Sequence, residues 1–213
     1  MTRRIVLLRH GRTEWNMVDR AQGWADVPLD DVGLAQARAC APSMVAYQAS
    51  LLWGSDLMRA RQTAEVVAEA TGLTPVWDER LREYNVGLRS GLTRLEFDER
   101  YPAEYAAWVA GHEEPRVEGQ ETNAEVAERM AAWWHDAREM LPVGQTGIAV
   151  THGAALKTLL CVVLGLPLDP HRSFTGIGNC HWVELIETYE GDRFRLGAYN
   201  LSTPDFASAP PVS

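Results

Sequence analysis

Arg4-Ile5-Val6-Leu7-Leu8-Arg9-His10-Gly11 decides how this chain is read. The apolar run at 5–8 fits a strand buried on both faces. It ends on an arginine, a histidine and a glycine, a combination suited to attacking and holding a phosphoryl group. Ile148-Ala149-Val150-Thr151 runs in the same way into His152-Gly153. Two strand ends that each deliver a histidine and a glycine imply one shared site. Its place is the carboxyl edge of a parallel sheet, where open α/β sheets bind ligands.

The flanking pattern supports this reading. Residues 33–47 have helical spacing, with Leu34, Ala37, Ala41 and Val45 on one face, and Pro42 predicts a kink or an early break. Residues 51–54 read as a short strand. Residues 57–71 read as a helix capped by Gly72, and 74–77 as an edge strand. The stretch 78–91 is irregular and charged. Capping boxes at Thr93 and Thr122 open helices, the second running to about 141. A short helix from Pro102 to about 110 lies between them. Strand 147–151, helix 154–164 and strands 181–186 and 193–199 follow, the last two joined by Glu190-Gly191-Asp192. Strands alternating with helices predict a three-layer α/β/α sandwich around a mostly parallel sheet. Residues 1–213 read as a single catalytic domain. In it, 92–120 forms a small helical lid and the tail from about 202, with three prolines, is frayed.

Composition narrows the function. The chain has 213 residues, is 46% hydrophobic and carries a formal net charge of -9 from 20 basic and 29 acidic residues. An acidic surface repels nucleic acid and anionic membranes, so neither is expected as a partner. No apolar stretch reaches the ~18 residues of a membrane span. Met1-Thr2-Arg3-Arg4 leads into an apolar run too short for a signal-peptide core. Cys40, Cys161 and Cys180 are an odd number without close pairing, which fits a reducing compartment. A soluble, cytoplasmic protein without a cysteine-based zinc site is expected.

Neutral imidazole can attack phosphorus if other groups neutralise the equatorial oxygens. Arg9 beside His10, and Arg59 at the start of a helix, can do so with planar forks. His152 can donate a proton to another oxygen. Glu83, in Leu81-Arg82-Glu83-Tyr84, is the candidate general acid, with Glu79, Glu96 and Glu99 as alternatives. Arg61 reads as an ordinary surface arginine. His112, His135, His171 and His181 show no metal spacing and read as surface or strand residues. Trp133-Trp134 on one helix predicts at most one ring in the core, the other marking an interface, and a homodimer is compatible with that. Trp108 reads equally as packing or as a pocket wall. Arg172 and Thr175-Gly176-Ile177-Gly178-Asn179 precede a strand near the expected place of His152, so Asn179 is a further candidate.

Arg9-His10-Gly11-Arg12-Thr13-Glu14-Trp15-Asn16 resembles the N-terminal signature of the histidine phosphatase superfamily, the phosphoglycerate mutase-like fold. Gln22-Gly23, Ser55-Asp56-Leu57, Arg59-Ala60, Gln62-Thr63-Ala64, Leu81-Arg82-Glu83, Gly119-Gln120-Glu121 and Thr151-His152-Gly153 extend the resemblance in order over roughly 4–200. It implies a phosphohistidine on His10, a cradle of Arg9, Arg59 and His152, and Glu83 as acid and then base. It also implies contacts to phosphate or substrate from Thr13, Asn16, Gln22 and Gly23, and no metal. The chain departs from the family where Leu88-Arg89-Ser90 precedes Gly91; an acidic residue and a tryptophan are common there. Gln120 also replaces a common glycine.

Two reactions share such a site, hydrolysis of the phosphohistidine and transfer to another oxygen, as in cofactor-dependent phosphoglycerate mutases. The lid is short, with Arg94, Arg100 and Arg116 against seven acidic residues, which favours a phosphatase and discourages substrates with several negative charges. A small phosphorylated sugar, sugar acid or nucleoside is the expected substrate class. The 176–179 segment and the length are similar to those of glucosyl-3-phosphoglycerate phosphatases. Broad-specificity acid phosphatases and α-ribazole phosphatases fit the pattern equally. A phosphoprotein-directed or binding role is the reading from another class; a pure binding module needs no general acid, and a closed lid around Trp108 would count against a peptide substrate.

Overall fold

A computed structural model of the chain describes residues 2–203 except 192. The expected turn residue Asp192 and nearly all of the expected frayed tail lie outside the described residues. Six strands form one sheet in the order β3-β2-β4-β1-β5-β6. They are β1 (Arg4–Arg9), β2 (Leu51–Gly54), β3 (Pro75–Trp77), β4 (Thr146–Thr151), β5 (Trp182–Glu187) and β6 (Phe194–Leu201). The first four run parallel, whereas β5 and β6 are antiparallel additions beside β1. The mostly parallel sheet and its edge strand at 75–77 are as expected.

Successive side chains of a strand point to opposite faces. Ile5 and Leu7 enter one core with Ala149, Val183 and Leu185; Val6 and Leu8 enter the other with Ile148 and Val150. The first core is closed by α6 (Asn123–Met140) and α7 (Gly153–Leu164) through Val126, Met130, Trp133, Leu156 and Leu160. The second is closed by α2 (Asp31–Ala46) and α3 (Met58–Thr71) through Ala37, Cys40, Met44, Ala64 and Val67. An apolar strand without alternation is therefore what a middle layer requires.

Three expectations are corrected here. First, α2 runs through Pro42 without a break. Pro42 and Arg38 are both exposed, so the carbonyl that loses its donor faces water rather than the core. Second, Val45 is on the solvent side of α2, and Gly33, Gln36, Cys40 and Met44 share the buried face with Ala37 and Ala41. Third, both tryptophans of α6 are buried. Trp133 meets Trp53 edge-on at 5.8 Å, and Trp134 meets Phe194 at 4.8 Å. The antiparallel β6 extends the core over a position that helical spacing alone would leave outside.

Two short helices, α1 (Glu14–Met17) and α8 (Pro170–Ser173), were not anticipated. Between β3 and α6 lie α4 (Arg94–Arg100) and α5 (Pro102–Ala110). Leu92, Phe97 and Val117 form a separate small core there, with Tyr101, Tyr105 and Trp108 packed against it. Trp134→Ala should destabilise the protein by about 3–5 kcal/mol in urea unfolding, as expected for a buried tryptophan. A change within about 0.5 kcal/mol would mean that the ring is at a free surface.

Candidate active site

The parallel register of β1 and β4 pairs Arg9 with Thr151, and the His10 amide donates to the Thr151 carbonyl at 3.0 Å. The two histidines thus leave the same edge side by side, their rings 5.1 Å apart and tilted by 58°. Gly11 permits the close turn after His10. A Cβ there would lie 2.5 Å from the Gly33 carbonyl oxygen at the start of α2.

His10 is 3% exposed, and its Nδ1 donates to the Gly11 carbonyl at 2.7 Å. A carbonyl only accepts, so the proton sits on Nδ1 and the lone pair on Nε2. Burial, then Arg59 and Arg9, hold this imidazole well below the usual histidine value. It is therefore a neutral, nucleophilic ring at neutral pH. His152 is fully buried, with Nε2 2.9 Å from the Ser55 hydroxyl and no protein partner for Nδ1. Burial first, then Arg59 and His10, lower its pKa well below the ordinary value.

Both arginines are buried without a carboxylate bonded to them. Arg9 donates through Nη1 to the Ile177 carbonyl. Arg59 donates to the carbonyls of Ala25 and Gly23 at 2.9 and 2.8 Å. Their Nε atoms are buried and have no partner among the described residues. Burial pulls the Arg59 pKa to about 10, which still leaves it charged at neutral pH. Carbonyls orient these forks without cancelling their charge, so the positive field remains available to an anion.

Glu83 projects from the irregular loop to the N-terminus of α7. One carboxylate oxygen accepts from the Ala155 and Tyr84 amides, at 2.8 and 3.0 Å, and the other from the Ala154 amide at 3.0 Å. The loop is pinned from below by Arg129, a residue that sequence reasoning missed. Its guanidinium donates to the carbonyls of Arg80, Arg82 and Glu83 and to both oxygens of Glu121. Nothing in the spacing of α6 distinguishes it from a surface arginine.

A cleft of about 290 Å³ brings together Arg9, His10, Asn16, Gln22, Gly23, Arg59 and Glu83. Gly23 has φ +50°, and its carbonyl is the one that holds Arg59. His152, Thr13 and Asn179 do not line this cleft; the His152 ring is buried behind it, 5.1 Å from that of His10. Thr13 is fully buried and caps α1, exchanging hydrogen bonds with Asn16. Asn179 donates to the His10 carbonyl at 3.1 Å and to Asn16 Oδ1 at 3.3 Å. Both hold the residues that do face the cleft. Trp108, His112 and Gln120 close it from the 92–120 segment, with Arg89 and His171 nearby. Of the alternatives to Glu83, Glu96 is committed to the cap of α4 and to Arg20. Arg61 stacks on Trp77, away from the cleft.

The sequence pattern of the histidine phosphatase superfamily (branch 1) matches residues 5–202. A glucosyl-3-phosphoglycerate phosphatase of Mycolicibacterium vanbaalenii is 35% identical, over 94% of this chain and 95% of that protein. A probable phosphoglycerate mutase GpmB of Yersinia pestis is 38% identical over 83% and 81%. The native structure of a mycobacterial glucosyl-3-phosphoglycerate phosphatase superposes with a TM-score of 0.86 at 33% identity. That superposition covers 95% of this chain and all of that one. The paired histidines at one sheet edge, the buried arginines and the match along nearly the whole chain have one source: this protein belongs to the histidine phosphatase superfamily and is a phosphatase of the phosphoglycerate mutase-like fold.

Proposed function

We propose that the chain hydrolyses phosphomonoesters of a small metabolite through a phosphohistidine on His10, without a metal. The observation that carries this reading is the Nδ1 bond to Gly11, which leaves the Nε2 lone pair of a neutral ring beside two charged arginines. In the first step Nε2 forms the N–P bond as the ester P–O bond breaks, and Glu83 gives its proton to the leaving oxygen. In the second, Glu83 takes a proton from water, whose oxygen displaces His10 from phosphorus. Arg9, Arg59 and the His152 ring stabilise the equatorial oxygens. Asn16, Gln22 and Gly23 position the phosphoryl group and the ester, with Thr13 and Asn179 supporting them. The whole chain acts as one catalytic domain, and 92–120 serves as its lid.

The substrate class is a phosphorylated sugar, sugar acid or nucleoside, and the relatives make glucosyl-3-phosphoglycerate the first ester to try. The same reading sets the enzyme in the cytoplasm, in keeping with three free, buried cysteines, and expects no nucleic-acid or membrane partner. No helix among the described residues is long and apolar enough to cross a membrane. A homodimer is part of this reading; with Trp133 and Trp134 both buried, the α6 tryptophans do not supply its interface. The mutase-named relative supports a second reading, phosphoryl transfer between oxygens of a sugar acid.

Phosphate release from a panel of phosphomonoesters, with a chelator present, separates these readings. Release that His10→Ala abolishes, with the fold intact by circular dichroism, is the expected result. Interconversion of 2- and 3-phosphoglycerate without release would establish the mutase instead. Glu83→Gln should slow esters with poor leaving groups far more than p-nitrophenyl phosphate, whose leaving group needs little protonation. Equal loss on both would remove Glu83 from that role. Because the His10 pKa is depressed, its ring should stay neutral as pH falls through the ordinary value of 6.5 and should protonate only in more acid solution. An NMR titration of the imidazole carbons checks this; a midpoint at or above 6.5 would contradict it.

A further inference from the structure

Arg89 lies in the stretch Leu88-Arg89-Ser90, where the chain departs from the family pattern, and the proposed phosphoryl chemistry does not use it. It ends a short 3-10 turn, Gly87–Arg89, and lines the same cleft as His10 and Glu83. Its guanidinium lies 3.9 Å from the ring centre of Trp108 and 5.0 Å from that of Phe97. Rings hold a guanidinium in place but do not satisfy its N–H groups. Among the described residues it has no hydrogen bond or ion pair, unlike its neighbours. Arg20 is bonded to Glu96, Arg94 pairs with Asp19 at 2.7 Å and Arg82 is bonded to Asp56. Burial first, then Arg94, pulls its pKa to about 10, so it is charged at neutral pH.

The acidic residues of the cleft are committed elsewhere. Glu83 is held by three amides, Glu121 by Arg129 and the Asn85 amide, and Glu113 accepts from the Asn123 amide. Asp169 caps α8 through the Arg172 amide. Arg89 is therefore a planar, preorganised cation facing the cleft with no carboxylate bonded to it among the described residues; Asp19, which pairs with Arg94, supplies an opposite charge at longer range. It is separate from the Arg9 and Arg59 forks assigned to the phosphoryl group.

We propose that Arg89 holds a second anionic group of the substrate, a carboxylate, so that the cleft selects phosphomonoesters of hydroxy acids and their derivatives over uncharged analogues. This rests on the phosphatase reading above. It also reverses the inference drawn from the acidic lid, because the cation comes from the loop beneath it. A bidentate guanidinium–carboxylate pair fits the fork, and Trp108 keeps it flat.

The test compares kcat/KM for 3-phosphoglycerate and for glycerol 3-phosphate, which differ at the carboxylate. The wild-type protein should prefer the former. In Arg89→Met the ratio should fall about tenfold or more, mainly through KM, and Arg89→Lys, which keeps the charge but loses the fork, should retain only part of it. A wild-type ratio near one, or an equal loss on both esters, overturns the proposal. Competition against p-nitrophenyl phosphate by the two esters on the wild-type protein gives a reading independent of any variant. 3-Phosphoglycerate should inhibit more strongly, and equal inhibition overturns the proposal. If the wild-type protein releases phosphate from neither ester, or His10→Ala leaves release from both intact, the reading of a phosphatase acting through His10 has failed instead.

Discussion

The parallel pairing of β1 with β4 is the constraint on which the site depends. Pairing Arg9 with Thr151 fixes where both strands end, and the amide of His10 is bonded to the last carbonyl of β4. A slip of one residue would reverse the faces of every side chain in a strand whose two sides enter different cores. The 5.1 Å spacing of the imidazoles is therefore enforced by the packing of Ile5, Val6, Leu7 and Leu8.

Burying charge usually costs stability unless the charge is paired. Here the partners of Arg9 and Arg59 are main-chain carbonyls of Ile177, Ala25 and Gly23. These groups satisfy hydrogen-bonding capacity while leaving a net positive field. The field, with burial, keeps His10 and His152 neutral. The same arrangement would thus serve both parts of the proposed reaction: a nucleophile that must be unprotonated, and phosphoryl oxygens that need positive charge. Glu83 is brought to this field by Arg129 from below and by the α7 amides from the side.

The sheet, the order of its helices and the two histidine-bearing strand ends were legible because they rest on local rules: apolar runs, capping boxes and glycines at ends. Pro42 misled because the tolerance of a helix for proline depends on which way one carbonyl faces. Trp134 misled because β6, sixty residues away, supplies the ring that covers it. Arg129 was invisible for a similar reason: apart from Glu121, its partners are carbonyls, which have no signature in a sequence. Thr13 and Asn179 were noticed, but neither sequence nor spacing could tell that they hold His10 and Asn16 rather than line the cleft. Arg89 was visible only as a departure from a pattern, and its setting between aromatic rings required the folded 92–120 segment.

Trapping the covalent intermediate tests the central claim most directly. The protein would be mixed with a good phosphomonoester substrate, quenched at alkaline pH within the first turnovers, digested and analysed by mass spectrometry. One phosphoryl group on the peptide containing His10, lost on acid treatment and absent from His10→Ala, is the predicted result. Steady turnover with no label on His10, or with the label on another side chain, would contradict the account.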